Sequence, residues 1–116
     1  MSETLTQYGK NFQSKILTSL ITDVKYTKQI LDIVEVNYFD SDSNKFIIKS
    51  IKDYFKKYKT NPTMEALKVI IDDVDNDVLK TAIIDSLRNA WSHRESPDLP
   101  FVKEKSLEFC KNQVVI

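Results

Sequence analysis

The sequence predicts an all-α fold, a compact bundle of about six short helices. Three observations carry that expectation. Only one glycine and three prolines occur in 116 residues, so the tight glycine turns on which β-hairpins depend are missing. Apolar residues recur at three- and four-residue spacing along most of the chain. The third is a fully punctuated helix between Asn37 and Leu67. Hydrophobic residues make up 41% of the chain, which at this length supports one independent core.

Residues 1–8 are polar and read as a frayed lead. Phe12, Ile16, Leu17, Leu20 and Ile21 form the inner stripe of a first helix ending near Thr22. Asp23 can cap a second helix bearing Tyr26, Ile30, Leu31 and Val34. Val36 to Phe39 reads as a short extended connector whose aromatics plug the gap between helices. Asp40 to Ser43 supplies N-cap residue types for a helix over about 43–59, with Ile47, Ile48, Ile51, Tyr54, Phe55 and Tyr58 on its inner side. Asn61-Pro62 ends that segment, because the residue before proline is driven out of the α region. Thr63 then caps a helix over 63–72 carrying Met64, Leu67 and Ile70.

An acidic break, Asp72 to Asp77, leads to a fifth helix over about 76–92. Leu79, Ala82, Ile83, Ser86 and Ala90 line one side of it. Ile84, Leu87 and Trp91 widen the apolar arc past half the circumference, which predicts contact on two sides. Ser92 to Pro100 is a polar connector. The last helix starts near Leu99, with Leu99, Val102, Leu107, Cys110 and Val114 on one face and Phe101 projecting away. The chain thus divides into the lead, a helical head over 9–96, and a final segment over 97–116. Gln113-Val-Val-Ile116 ends without a capping residue. Either it tucks into the core or, the preferred expectation, the chain is the front piece of a longer one.

Seventeen basic residues balance seventeen acidic ones, so no whole-chain field draws in nucleic acid or lipid. Residues 1–60 carry 10 Lys against 7 Asp/Glu, and residues 61–116 carry 7 Lys/Arg against 10, a polarity able to orient neighbouring copies. Cys110 is the only cysteine, which fits a reducing compartment. No apolar run approaches the ~18 residues of a membrane span, so a cytoplasmic protein without membrane contact is expected.

Little chemistry can be read from the side chains. Phosphate-binding loops need glycine at more than one position, and only Gly9 exists. Asp73-Val-Asp75-Asn-Asp77 imitates the opening of a calcium loop, but Val78 replaces the turn glycine and Ile84 the bidentate glutamate. A solvated turn, with Asp75 or Asn76 as helix cap, is the simpler reading. His93 and Cys110 are too few for a closed zinc site, and Cys110 lies on an apolar face where a buried thiol is the usual role. No metal, cofactor or catalytic group is therefore expected. Tyr38, Phe39, Phe46, Met64 and Trp91 read as packing residues. Lys49, Lys52, Lys56 and Lys59 form a flank that could face solvent, phosphate or an acidic partner.

Two segments carry more than their physics. Gln13, Ile16, Leu17, Leu20, Ile21 and Asp23 fit Q-x-x-[IV]-L-x-x-[LM]-[IL]-x-D. Tyr38-Phe39, Asn44-Lys45, Ile47, Ile51 and Pro62 to Leu67 follow in order. Together they resemble the N-terminal domain of DnaB-type replicative DNA helicases, most closely the phage versions. Phe101 to Gln113 is similar to the phage helix that leads towards the motor domain. Thr18 stands where bacterial members usually carry glycine, and Asn44 where many carry histidine. The resemblance spans about residues 12–113. It implies a non-catalytic head domain that pairs, forms a collar on a hexameric ring and helps dock the primase in DNA replication. The nucleotide-binding motor would lie in a later domain, and DNA would be met only through the full ring, in the host cytoplasm if phage-encoded.

The broad arc of the fifth helix makes Ile84, Leu87, Trp91 and Phe101 the candidate interface residues. The rival expectation is a stand-alone DNA-binding module using Lys49, Lys52, Lys56 and Lys59. A small helical enzyme ranks last, since no two ionisable groups have a readable mutual geometry.

Overall fold

The backbone of residues 4–113 is described by a computed structural model containing six α-helices, two short 3-10 turns and, among those residues, no strand. The helices are α1 (Lys10–Thr22), α2 (Val24–Ile30), α3 (Asp42–Tyr58), α4 (Met64–Asp72), α5 (Asp77–Ser92) and α6 (Leu99–Gln113). The expected all-α bundle is what forms. Val114 and the apolar tail to Ile116 lie outside the described residues.

Side chains anticipated as caps set most boundaries. Asp23 accepts from the Tyr26 amide at 3.1 Å, Ser41 from Asn44 at 3.1 Å, Thr63 from Ala66 at 3.0 Å and Asn76 from Leu79 at 2.9 Å. Each satisfies an amide that the first helical turn leaves without a partner. The Asp73–Asp77 stretch is therefore a capped inter-helix turn. Helix α2 ends sooner than its apolar pattern suggests. Leu31 is its C-cap, and Leu31 and Val34 are buried beyond the last turn.

At the other end of α3, Lys59 closes the helix in the left-handed region at φ 62°. Its amide donates to the Phe55 carbonyl at 2.7 Å. Glycine usually fills such a position, because a Cβ crowds the following carbonyl.

Helix α1 is the hub. It packs against α2, α3, α5, α6 and the 3-10 turn Leu5–Tyr8, and it is buried nearly all round. Helix α4 packs chiefly on α5. The second 3-10 turn, Val36–Tyr38, replaces the expected extended connector. Its aromatics do fill the gap: Tyr38 and Phe39 are buried, and Tyr38 meets Phe109 edge-on at 5.3 Å.

Two outer segments pack into the same globule, and residues 1–3 of the expected lead lie outside the described residues. Residues 5–8 are not a frayed lead: Leu5 is buried, and Gln13 Nε2 donates to its carbonyl at 3.4 Å. Thr6 Oγ1 donates to the Asp40 carboxylate, and Gly9 makes the bend into α1 at φ 87°. Nor is residue 97 a break. Leu99, Val102, Phe109 and Cys110 of α6 are buried, and α6 packs on α1 and α2. The radius of gyration of 13.4 Å matches the ~13 Å expected of a single globule of this length. Phe109 was not singled out from the sequence; Leu107, which was, is only partly buried.

Three aspartates tie the bundle together at its surface. Lys103 Nζ lies 2.8 Å from Asp23, and Lys15 Nζ lies 2.8 Å from Asp98. Asp40 accepts from Thr6 and, at 2.9 Å, from Gln13. Lys103 and the Tyr26 amide hold the Asp23 carboxyl below its ordinary value of 3.8, against an opposing push from burial. Thr6 and then Gln13 do the same for Asp40, and Lys15 for Asp98.

Two outcomes are expected. Lys59→Gly should raise stability by about 0.5–1 kcal/mol, measured by urea unfolding, by relieving the left-handed strain. For the aspartates, a folded value below the unfolded one means the unfolded chain binds protons first. Their stabilisation is then full above the ordinary value of 3.8 and lost as pH falls through the depressed values. The thermal midpoint should be level down to about pH 5 and drop below about pH 4, with a shallower drop for Asp40→Asn.

Candidate functional site

An apolar groove lies on the α4–α5 hairpin. Thr63 starts α4 directly after the buried Pro62, and Asn76 starts α5. The two helices run into a groove of about 430 Å³ lined by Met64, Ile71, Ile84, Leu87 and Trp91, with Lys68, Asp72 and Arg88 at its edges. Met64 and Trp91 also border a more open hollow of about 520 Å³ formed with Ile21, Thr22, Pro62, Thr63 and Glu65. The Arg94 guanidinium lies 5.0 Å from the Trp91 ring centre and donates to the Trp91 carbonyl at 3.0 Å. One end of the indole wall is thereby fixed.

The four residues expected at an interface separate. Ile84 and Trp91 are both 37% exposed and share the groove. Leu87 is only 3% exposed: it is a core residue whose edge forms the groove floor. It falls three residues before Ala90 and four after Ile83, both buried, so it stands on the inward stripe of α5. Phe101 is 61% exposed, as its outward projection implied, but it lines neither hollow. Met64 and Ile71 complete the groove. Ile71 was legible as the fourth residue after Leu67, a spacing that the expected Leu67–Ile70 stripe passed over.

The lysine flank does not survive as a single free face. Lys52 Nζ donates to the Val34 carbonyl at 2.7 Å, closing the end of the α2 turn. Lys49 pairs with Asp53 at 2.8 Å, four residues on. Lys59 Nζ donates to the Lys56 carbonyl at 2.9 Å. Lys56 is exposed.

A polar seam runs under the hairpin. Thr18 Oγ1 shares its proton between the Ser14 and Ala90 carbonyls. Asn89 donates to Ser14 Oγ at 3.0 Å, and Ser43 and Ser86 hydroxyls meet at 2.7 Å. These bonds let α1, α3 and α5 approach through small side chains while leaving buried polar groups satisfied.

Groups capable of chemistry are dispersed. Cys110 is buried, and burial, with Glu35 adding to it, pushes its thiol up to about 12, so the nucleophilic thiolate is scarce at neutral pH. His93 sits in the α5–α6 connector, where it donates its amide to Ala90. Tyr26 and Ser106 share a buried 2.6 Å hydrogen bond between α2 and α6. Among the described residues no cluster of three His, Cys, Asp or Glu side chains is placed to hold a metal ion. No described helix is long and apolar enough to cross a membrane. Five of the eight residues lining the groove are apolar and three are charged, which suits packing of a partner's side chains.

No family model, no curated protein and no solved structure matches this chain.

The division between Leu87 and Ile84 has a direct measure. Leu87→Ala should cost about 2–4 kcal/mol by urea unfolding, as a cavity-forming change in the core. Ile84→Ala should cost less than about 1 kcal/mol.

Proposed function

We propose that this chain is a non-catalytic assembly domain that pairs with copies of itself through the α4–α5 groove. One observation carries this. Of the seven large hydrophobic side chains that are exposed among the described residues, Val69, Val78, Ile84 and Trp91 sit on the single hairpin spanning 64–92. Scattered exposed apolar residues are ordinary, but Ile84 and Trp91 share one groove with Met64 and Ile71, and an apolar centre anchored by a tryptophan is the composition of an interface. A pair burying ~800 Å² on each partner would have a standard interface, with Trp91 as its anchor.

In the fuller form of this proposal, the chain is the head of a DnaB-type replicative helicase of the phage kind. It works in the cytoplasm, joins a collar on a hexameric ring and offers a surface to the primase. ATP-driven unwinding would then belong to a separate RecA-like motor. Support comes from the order Gln13–Asp23, Tyr38-Phe39, Asn44-Lys45 and Pro62–Leu67, now placed on α1, the aromatic plug, the start of α3 and the entry to α4. Thr18 departs from the glycine usual in bacterial members, and its hydroxyl donates to the Ala90 carbonyl near the end of α5, a bond that glycine could not supply.

Multi-angle light scattering at about 100 µM, where contacts of micromolar affinity are filled, tests the pairing. Dimers are expected, and Trp91→Ala and Ile84→Glu should return monomers without loss of helix content. A monomer at that concentration, or dimers indifferent to both changes, overturns it. The helicase assignment has its own test: a strand followed by GxxxxGK[ST] encoded in frame downstream.

A further inference from the structure

The last turn of α3 holds a surface that neither the core nor the groove uses. Tyr58 belongs by periodicity to the inner stripe, yet it is 54% exposed. Tyr54 supports it one turn back, the ring centres 4.5 Å apart and tilted by 47°. Lys57 Nζ lies 5.3 Å from the Tyr58 ring centre. Lys56 and Lys59 are exposed beside it. The left-handed Lys59 turns the chain away at this point.

The charge here is concentrated. In a chain of zero net charge, residues 49–68 contain six lysines against Asp53 and Glu65. Asp53 is already paired with Lys49. Basic residues do complement the negative end of a helix, but Lys59 already donates to the exposed Lys56 carbonyl. That leaves the ammonium groups of Lys56 and Lys57 without an acidic partner among the described residues. An exposed ring within a cluster of cations offers both elements of single-strand recognition: a π-face for an unpaired base and charge for the flanking phosphates.

We propose that the C-terminal turn of α3 binds single-stranded nucleic acid. Tyr58, backed by Tyr54, stacks on an unpaired base while Lys56, Lys57 and Lys59 contact the adjacent phosphates. A duplex hides its base faces, so the ring selects the single strand. No arginine stands there to read guanine edges, so binding is insensitive to sequence. None of these residues lines the α4–α5 groove, and this surface stands or falls independently of self-pairing.

The test is fluorescence anisotropy of the whole chain with labelled oligo-dT and oligo-rU of about 15 nucleotides, a length typical of such sites. Binding in either arm at low salt supports the assignment, and the stronger arm identifies the strand. Three phosphate contacts give a slope of log affinity on log salt of about −2, so a fourfold rise in salt weakens binding about fifteen-fold. Tyr58→Ala should weaken binding about fivefold or more, while Tyr58→Phe retains it. The double change Lys56→Ser with Lys57→Ser should make the slope shallower by about 1.4. All these positions face solvent, and circular dichroism checks that the variants fold. Four results overturn the assignment: no binding in either arm at low salt, indifference to Tyr58→Ala, equal affinity for a duplex of the same length, or equal competition by polyglutamate.

Discussion

Burial of α1 between Gln13 and Ile21, with only Lys15 partly exposed, is the constraint from which the rest of this bundle follows. A stretch enclosed in this way has little face left for water, so its buried polar groups must find partners within the protein. Gln13, Ser14, Thr18 and Ser19 are all buried there. Gln13 spans the Leu5 carbonyl, the Asp40 side chain and, through its Oε1, the Asp40 amide at 3.1 Å. That one side chain holds the opening 3-10 turn, the aromatic connector and the entry to α3 in a fixed relation. Thr18 reaches across to α5, Ser14 accepts from Asn89, and Ser19 returns its proton to the Lys15 carbonyl at 2.9 Å. Small hydroxyl residues at these positions allow close approach without leaving a carbonyl unpaired.

The same arrangement leaves α4 outermost. Helices α2, α3, α5 and α6 all share α1, whereas α4 packs chiefly on α5. With Leu67 and Ile71 turned inward, Val69 is left on the outside of α4. Trp91 at the far end of α5 borders both hollows. A domain of this size has too little chain to cover every apolar face, and the uncovered one lies between α4 and the outer side of α5.

Helix positions were largely legible because capping is local. Asp23, Ser41, Thr63 and Asn76 each act on the amide three residues on, and the apolar period begins beside each of them. Where the reading failed, the deciding contact was distant. Leu5 looked like part of a polar lead because the core that buries its side chain is built from later helices, while Gln13, eight residues on, holds its carbonyl. Tyr58 fits the inner stripe of α3 by angle alone, but the core ends before that turn is reached. Lys52 looks like its neighbours Lys49 and Lys56 until the Val34 carbonyl, 18 residues earlier, is brought against it. Leu87 and Ile84 share one broad arc in the sequence, and only the inward direction of Ala90 and Ile83 separates core from surface.

The sequence by itself determined an all-helical chain, its punctuation and most of its core, because periodicity and capping act over one or two turns. It also identified Ile84 and Trp91 as apolar residues in excess of a single inward stripe. Tertiary structure alone decided which helix sits in the centre, which lysines are tied to carbonyls, and that Met64, Ile71, Ile84 and Trp91 enclose one groove. It likewise decided that Tyr58 faces outward among lysines. Those outcomes depend on which surfaces remain uncovered once six helices have packed, a property of the assembled bundle rather than of any one segment.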